Sequence, residues 1–228
     1  MSIYIDSAIT KEVEAVRSLG WVRGVTTNPI LLAKADSDVQ AILTELASLN
    51  IGSLFYQLIS PTVEGMFEEM YMAASIVGSA LVLKVPPTQS GFQFVSQCTE
   101  FPCCVTAIYS PSQALIASEV KARYVAVYVN RVTRLMGDGL KLVRDVAEIL
   151  KHCETEIIAA SVKSAEEACA ALAAGAHDLT LPYEVLISLM AHPLTEQTVA
   201  EFQVRGIGLT SSKEERISHF YEGTQQGS

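Results

Sequence analysis

The chain has 228 residues, 50% of them hydrophobic, with 16 Lys and Arg against 25 Asp and Glu and a formal net charge of −9. A chain of this size can bury a large core as one domain, and no Pro/Gly/Ser-rich linker divides it. Its basic residues are scattered, so nucleic acid has no electrostatic footprint, no apolar run approaches the roughly 20 residues that span a bilayer, and an anionic ligand would need a local basic pocket. The N-terminus enters the alternating Ser2-Ile3-Tyr4-Ile5-Asp6 without a basic leader. An unprocessed, soluble, cytoplasmic protein is expected, with neither nucleic acid nor membrane as partner. The cysteines Cys98, Cys103, Cys104, Cys153 and Cys169 are odd in number, lack C-x-x-C spacing and read as reduced, buried thiols. His152, His177, His192 and His219 are isolated, and no metal site is indicated.

Strand-like and helix-like segments alternate to about Gln203. Ser2 to Asp6 reads as a strand, followed by a helix from about Thr10 to Leu19 that Gly20 stops. Trp21 to Thr26 is a second strand, with helical material after Thr27-Asn28-Pro29 through Leu49. Ser53 to Ile59 is a third, and Ser60-Pro61 reads as an N-cap with proline at the first helical position, opening a helix to Val77.

Ala80-Leu81-Val82-Leu83-Lys84-Val85-Pro86 is the fourth strand, and it carries one cation in an otherwise apolar run. The period of two puts Lys84 on the face of Val82 and Ala80, among residues that belong in a core. A lysine desolvated there is a candidate nucleophile, although a lysine at a strand end can also snorkel to solvent. A helix follows from about Gln89 to Thr99, and then a strand from Phe101 to Ala107. Ser110-Pro111-Ser112-Gln113 is a capping box opening a helix through Val120. Tyr124 to Val129 is the sixth strand, Leu140 to Leu150 an amphipathic helix, and Thr155 to Ala160 the seventh strand. A second capping box, Ser164-Ala165-Glu166-Glu167, opens an Ala-rich helix to Ala174; His177 to Leu181 is the eighth strand, and helices follow from about Pro182 to Met190 and from Leu194 to Gln203.

Eight strand–helix pairs in order match a single-domain α/β (β/α)8 TIM barrel, a fold of about 250 residues, with an additional C-terminal helix. A doubly wound sheet would carry a G-x-G-x-x-G or P-loop fingerprint after an early strand, and neither is present. Residues 1–205 are therefore read as the barrel with its C-terminal helix, and 206–228 as a polar tail, disordered or packed on a neighbouring subunit.

In this fold chemistry sits at the C-terminal ends of the strands, and those ends are polar. In chain order they carry Asp6, Thr26 with Asn28, Gln57, Lys84, Thr106, Tyr128 with Asn130 and Arg131, Ser161 with Lys163, and Thr180. Singly, each has a structural reading: Asp6 as a helix cap, Asn28 and Ser161 as turn residues, Gln57, Thr106 and Tyr128 as rim groups, Arg131 and Lys163 as solvated charges. Jointly they predict one site, with an anion pocket toward Arg131, Ser161 and Lys163.

Ile5-Asp6, Gly24-Val25-Thr26-Thr27-Asn28-Pro29, Leu83-Lys84-Val85-Pro86, Val127-Tyr128-Val129-Asn130-Arg131 and Ala159-Ala160-Ser161-Val162-Lys163 resemble the transaldolase family, specifically its small fructose-6-phosphate aldolase branch. The match runs in order over about residues 1–205, and the G-V-T-T-N-P and K-V-P elements together are specific. The resemblance implies a metal- and cofactor-independent class I aldolase, in which Lys84 forms a Schiff base with the keto carbon of a sugar phosphate. It further implies that Asp6 and Asn28 hold the hydroxyls of the dihydroxyacetone part, that Gln57, Thr106 and Tyr128 handle the proton, and that Arg131 with Ser161 grips the phosphate. Thr26, Asn130 and Lys163 complete the expected substrate-binding set.

Larger transaldolases carry a glutamate where Gln57 stands and a phenylalanine where Tyr128 stands. A phenol and an amide-held water help to protonate the enamine and release it, which favours an aldolase over a transaldolase that keeps the enamine for an acceptor. A non-catalytic sugar-phosphate sensor on the same barrel is the reading from another class. Departures from the family pattern are Ser7, where threonine usually follows the aspartate, Ala126, where the sixth strand can carry proline, and the polar tail. The family resemblance also implies a homo-oligomer, a pentamer that stacks into a decamer.

Overall fold

The computed structural model describes residues 1–35 and 37–209. Eight parallel strands close into a barrel in sequence order: β1 (Ile3–Asp6), β2 (Val22–Thr26), β3 (Ser53–Gln57), β4 (Leu81–Val85), β5 (Cys103–Ile108), β6 (Tyr124–Tyr128), β7 (Glu156–Ala160) and β8 (Asp178–Leu181), with β8 returning to β1. The helices between them are α1 (Thr10–Arg17), α2 (Pro29–Lys34), α3 (Val39–Ser48), α4 (Val63–Val77), α5 (Gln89–Gln97), α6 (Pro111–Glu119), α7 (Val129–Met136), α8 (Gly139–Leu150) and α9 (Ala165–Ala173). After β8 come α10 (Tyr183–Ser188) and α11 (Pro193–Arg205). The barrel unit spans Met1–Leu186, and a second unit begins at Ile187. Of the polar tail expected over 206–228, positions 210–228 lie outside the described residues.

Strand residues bury both faces, which is why the strands read as near-continuous apolar runs. One set, including Ile5, Val25, Leu83, Val105, Val127 and Leu181, is fully buried. The alternate set fills the barrel: Tyr4, Phe55, Val82, Cys104, Ala126, Ile158 and Ala160 pack as one cluster, with Tyr124 and Tyr128 against it. Size is graded along the axis. Toward the N-terminal ends, Tyr4 meets Phe55 with ring centroids 5.0 Å apart, and Phe55 meets Tyr124 at 5.6 Å. Toward the C-terminal ends the inward positions include the small Ala126 and Ala160, so the floor is plugged by rings and the mouth has room. Gly24 is required where β2 meets β3, because a Cβ there would collide with the Ser53 carbonyl oxygen.

Several boundaries differ from the expectation. Thr62, not Ser60, caps α4 by accepting from Gly65 N at 3.2 Å. Ser60 Oγ instead accepts from Thr62 N, so Pro61 precedes the cap rather than following it. The helical stretch expected from Pro29 to Leu49 is two helices, with Asp38 capping the second. Ala80 belongs to a single 3-10 turn (Gly78–Ala80) ahead of β4. Helix α7 begins directly at Val129, which was expected to end a strand. Cys153 and Cys169 are exposed rather than buried, because they sit beyond α8 and on the outer side of α9.

Candidate active site

Lys84 is next to last on β4 and only 5% exposed. Its Nζ donates to the Thr27 carbonyl oxygen at 2.7 Å. That carbonyl lies just past β2, in the loop that the Asn28 cap holds: Asn28 Oδ1 accepts from Ile30 N at 3.1 Å and Leu31 N at 3.0 Å, which starts α2. One side of the loop thus anchors a helix, and the other steers the amine. On the next strand Gln57 pairs in register with Lys84.

The mouth encloses a cavity of about 400 Å³. Nine of the eleven site residues expected from the sequence line it: Asp6, Thr26, Asn28, Gln57, Lys84, Tyr128, Arg131, Ser161 and Lys163. Thr106 is fully buried behind the wall, its Oγ1 without a hydrogen-bond partner among the described residues. Asn130 is the second residue of α7, where its backbone N–H donates to the Ser161 carbonyl at 3.1 Å. Gln57 Oε1 is likewise buried and unpaired. A buried acceptor left unmatched costs about 1–3 kcal/mol, so the unpaired Gln57 oxygen, on a residue that lines the cavity, marks a position adapted to something other than folding.

Asp6 is not the cap of α1, which starts after Ile9 without a side-chain cap. Its Oδ1 accepts from Thr26 Oγ1 at 2.8 Å, and Thr26 Oγ1 also meets Thr180 Oγ1. This chain of three strand ends, β1, β2 and β8, fixes the carboxylate at the cavity wall. Thr180 was visible as a polar strand end, but its contact with Thr26 depends on barrel closure between β8 and β1 and could not be read locally.

The cationic side lies past the ends of β6 and β7. Arg131 stacks its guanidinium on the Tyr128 ring, 4.9 Å from the centroid, and Tyr109 meets that ring edge-on at 5.9 Å. Glu167 accepts from Lys163 N at 2.7 Å through Oε2 and from Asn130 Nδ2 at 3.3 Å through Oε1. Ser164 caps α9 through Glu167 N, as expected, but Glu167 does not return the bond to Ser164, so the second capping box is half-formed. The sequence shows Glu167 only as part of that box and does not signal that it ties the start of α7 to the segment after β7. Lys84, Arg131 and Lys163 face a single carboxylate, Asp6, in the cavity lining. A chain of net charge −9 therefore carries a locally cationic mouth.

Two cavity-lining residues without glycine's freedom adopt left-handed backbone: Ala107 at φ 57° and Ser161 at φ 57°. Ala107 sits where the β5–β6 register shifts, and Ser161 directly follows β7. Such conformations cost about 1–3 kcal/mol each and cluster at functional sites. Cys104, opposite Lys84 in register, is fully buried, and desolvation pushes its thiol up to about 12 despite the lysine's charge. It is an inert wall residue rather than a second nucleophile. Among the described residues no three His, Cys, Asp or Glu side chains converge as metal ligands, and no helix is long and apolar enough to cross a membrane.

A closed (β/α)8 barrel whose mouth gathers a buried amine, a carboxylate, an unpaired amide oxygen and cationic side chains is of the kind that holds small polar molecules. The chain belongs to the transaldolase/fructose-6-phosphate aldolase family, whose model matches residues 3–224, and that family is enzymatic. A probable transaldolase from Desulforamulus reducens is 35% identical over 206 residues, 89% of this chain and 95% of its own. Probable transaldolases from Pelotomaculum thermopropionicum and Geobacillus thermodenitrificans are each 36% identical over 206 residues, again 89% of this chain, and 95% and 96% of theirs. Among solved structures, a mandelate oxidase mutant carrying a monooxide FMN adduct superimposes with a TM-score of 0.57 at 15% identity, over 80% of this chain and 64% of that one. That likeness is of fold alone.

Proposed function

We propose that the protein is a class I aldolase that cleaves fructose 6-phosphate to dihydroxyacetone and glyceraldehyde 3-phosphate, and forms it in reverse. The observation that carries this reading is Lys84: a buried amine on the wall of a cavity shared with Gln57 and Tyr128.

Lys84 leaves the Thr27 carbonyl and adds to the keto carbon; loss of water gives a protonated imine. That cation is the electron sink, so the reaction needs neither metal nor cofactor. Removal of the C4 hydroxyl proton breaks the C3–C4 bond, glyceraldehyde 3-phosphate departs, and the bonding pair comes to rest in an enamine. Protonation at C3 restores the imine, and water releases dihydroxyacetone and the free lysine. Tyr128, with a water held by Gln57 and Thr106, moves these protons, and the unpaired Gln57 Oε1 in the cavity lining supports this assignment. Asp6 and Asn28, with Thr26, take the ketone's hydroxyls; Arg131, Ser161 and Lys163 take the phosphate, and Asn130 holds the start of α7 beside them.

A second reading is favoured by the names of the relatives, each a probable transaldolase. A transaldolase keeps the enamine until an aldose phosphate accepts it. Fructose 6-phosphate turnover with and without erythrose 4-phosphate separates the two: the aldolase releases free dihydroxyacetone in both cases, the transaldolase only traces without acceptor. Borohydride with dihydroxyacetone should add mass to the Lys84 peptide. An active Lys84→Met enzyme would overturn both readings. The same proposal places the enzyme in the cytoplasm as a homo-oligomer of pentameric or decameric type, which light scattering would measure.

A further inference from the structure

The five cysteines differ in surroundings. Cys153 and Cys169 are exposed, and Cys104 lines the active cavity. Cys98 follows the last residue of α5 and Cys103 opens β5, and the link Thr99-Glu100-Phe101-Pro102 folds both toward one backbone oxygen. Cys98 Sγ and Cys103 Sγ each lie 3.7 Å from the Phe101 carbonyl oxygen. Cys98 Sγ also lies 3.8 Å from Met70 Sδ. Neighbouring strand residues point to opposite faces, so Cys104 looks into the barrel and cannot replace Cys103 in this group.

Both thiols line a second cavity of about 280 Å³, shared with Glu100, Lys121 and Arg123. A water-sized molecule needs only about 30 Å³, so a small oxidant has room there. The two sulfurs are also unlike each other. The Cys103 thiol beside it holds Cys98 down to about 7, while the hydrogen bond to Cys98 and burial push Cys103 far up. Cys98 is half-buried and Cys103 is 4% exposed. An accessible thiolate next to a protected thiol is the arrangement of an attacking and a resolving cysteine.

We propose that Cys98 and Cys103 are a reversible redox modification site, closing to a disulfide when a hydroperoxide enters the cavity they line. The Cys98 thiolate attacks one peroxide oxygen; the O–O bond breaks, and the other oxygen leaves as hydroxide and takes up a proton to become water, or the alcohol if the peroxide is organic. Sulfur has lost two electrons and is a sulfenic acid. With the thiolate gone, the charge that held the Cys103 proton is gone too. Cys103 sulfur displaces the sulfenic oxygen, which departs with the Cys103 proton as water, and the S–S bond closes. A dithiol reductant reverses the step by exchange.

The bridge would pin the start of β5 to the end of α5, where Leu83 N donates to the Pro102 carbonyl at 3.0 Å and Leu83 pairs with Cys103. That is the strand pair that carries Lys84, entered from the opposite end of the barrel. The site is independent of which reaction the mouth performs.

The test treats the native full chain with hydrogen peroxide, blocks remaining thiols with N-ethylmaleimide, and maps unreduced peptides by mass spectrometry. A Cys98–Cys103 cross-link is expected, lighter than the two free peptides by the mass of two hydrogens and opened by dithiothreitol. In the Cys103→Ser chain, Cys98 should stop at the sulfenic acid and be labelled by dimedone. The wild-type map needs no variant to fold, and a Cys153→Ser/Cys169→Ser chain removes the exposed thiols that could exchange. Recovery of Cys103 as a free, maleimide-labelled thiol while Cys98 goes to sulfinic acid, or oxidation confined to Cys153 and Cys169, would overturn the proposal.

Discussion

Asn130 and Glu167 join the first turn of α7 to the first turn of α9, across 37 residues of chain: Asn130 Nδ2 donates to Glu167 Oε1 at 3.3 Å. The other carboxylate oxygen holds Lys163 N at 2.7 Å, so one side chain sets the spacing between Arg131 on α7 and the Ser161–Lys163 segment. If that arc grips a phosphate, Glu167→Ala should raise KM for glyceraldehyde 3-phosphate about tenfold, the equivalent of one charge-assisted hydrogen bond. KM for unphosphorylated glyceraldehyde and kcat should move far less. Glu167→Gln, which keeps one acceptor, should fall between. Equal losses with both aldehydes would make Glu167 a fold residue only.

Tyr128→Phe should separate making the enamine from quenching it. Release of dihydroxyacetone from fructose 6-phosphate should fall by about 10²-fold or more, the usual contribution of a positioned acid, while borohydride trapping at Lys84 persists. Adding Gln57→Glu should favour transfer to erythrose 4-phosphate over release. Product ratios from a coupled assay decide this; unchanged release in Tyr128→Phe would remove the phenol from the mechanism.

Ala107 and Ser161 share a left-handed φ of 57° and should respond differently to glycine. Ala107→Gly relieves the backbone and should raise stability by up to about 1 kcal/mol in urea melts, with little change in kinetics. Ser161→Gly relieves the same strain but removes a hydroxyl, so its stability gain should come with a higher KM for phosphorylated substrate.

Tyr56 Oη donates to Glu69 Oε1 at 2.7 Å, and Glu69 Oε2 accepts from Ile59 N at 3.0 Å and Ser60 N at 3.1 Å. Burial first, and the neighbouring Glu69 second, raise Tyr56 above its ordinary value of 10.0; burial likewise raises Tyr4. The folded state thus keeps protons that the unfolded chain gives up, so stability is full below the unfolded value of about 10 and falls as pH rises beyond it. Urea midpoints should decline above about pH 10, and Tyr56→Phe should flatten that decline while costing about 1 kcal/mol at neutral pH. An identical alkaline slope in the variant would refute the assignment.

The barrel was legible because each strand is an apolar run broken at its C-terminal end by a polar residue, a pattern that survives whatever surrounds it. Nine of the eleven expected site residues reach the cavity for the same reason: strand period and strand end decide where they point. What was hidden depends on contacts distant in sequence or on backbone choices that the residue does not advertise. Thr180 meets Thr26 only because β8 closes on β1. Glu167 spends its carboxylate on Lys163 and Asn130 instead of on its own cap, a competition invisible within S-A-E-E. Ala107 and Ser161 lack the glycine that would have announced a left-handed turn. Helix α7 follows β6 with no intervening turn, so Val129 reads as strand from its apolar neighbours.

The stacked pair of Arg131 and Tyr128 has a consequence for how such an enzyme could change over generations. On the proposed function, the cation that recognises the substrate's tail also lies against the π face of the group that finishes its chemistry. Recognition and turnover would then share one inheritance: a lineage shifting toward uncharged aldehydes could not discard the arginine without disturbing the phenol. Compensation would be expected first at Tyr109, whose ring supports the same phenol from the side.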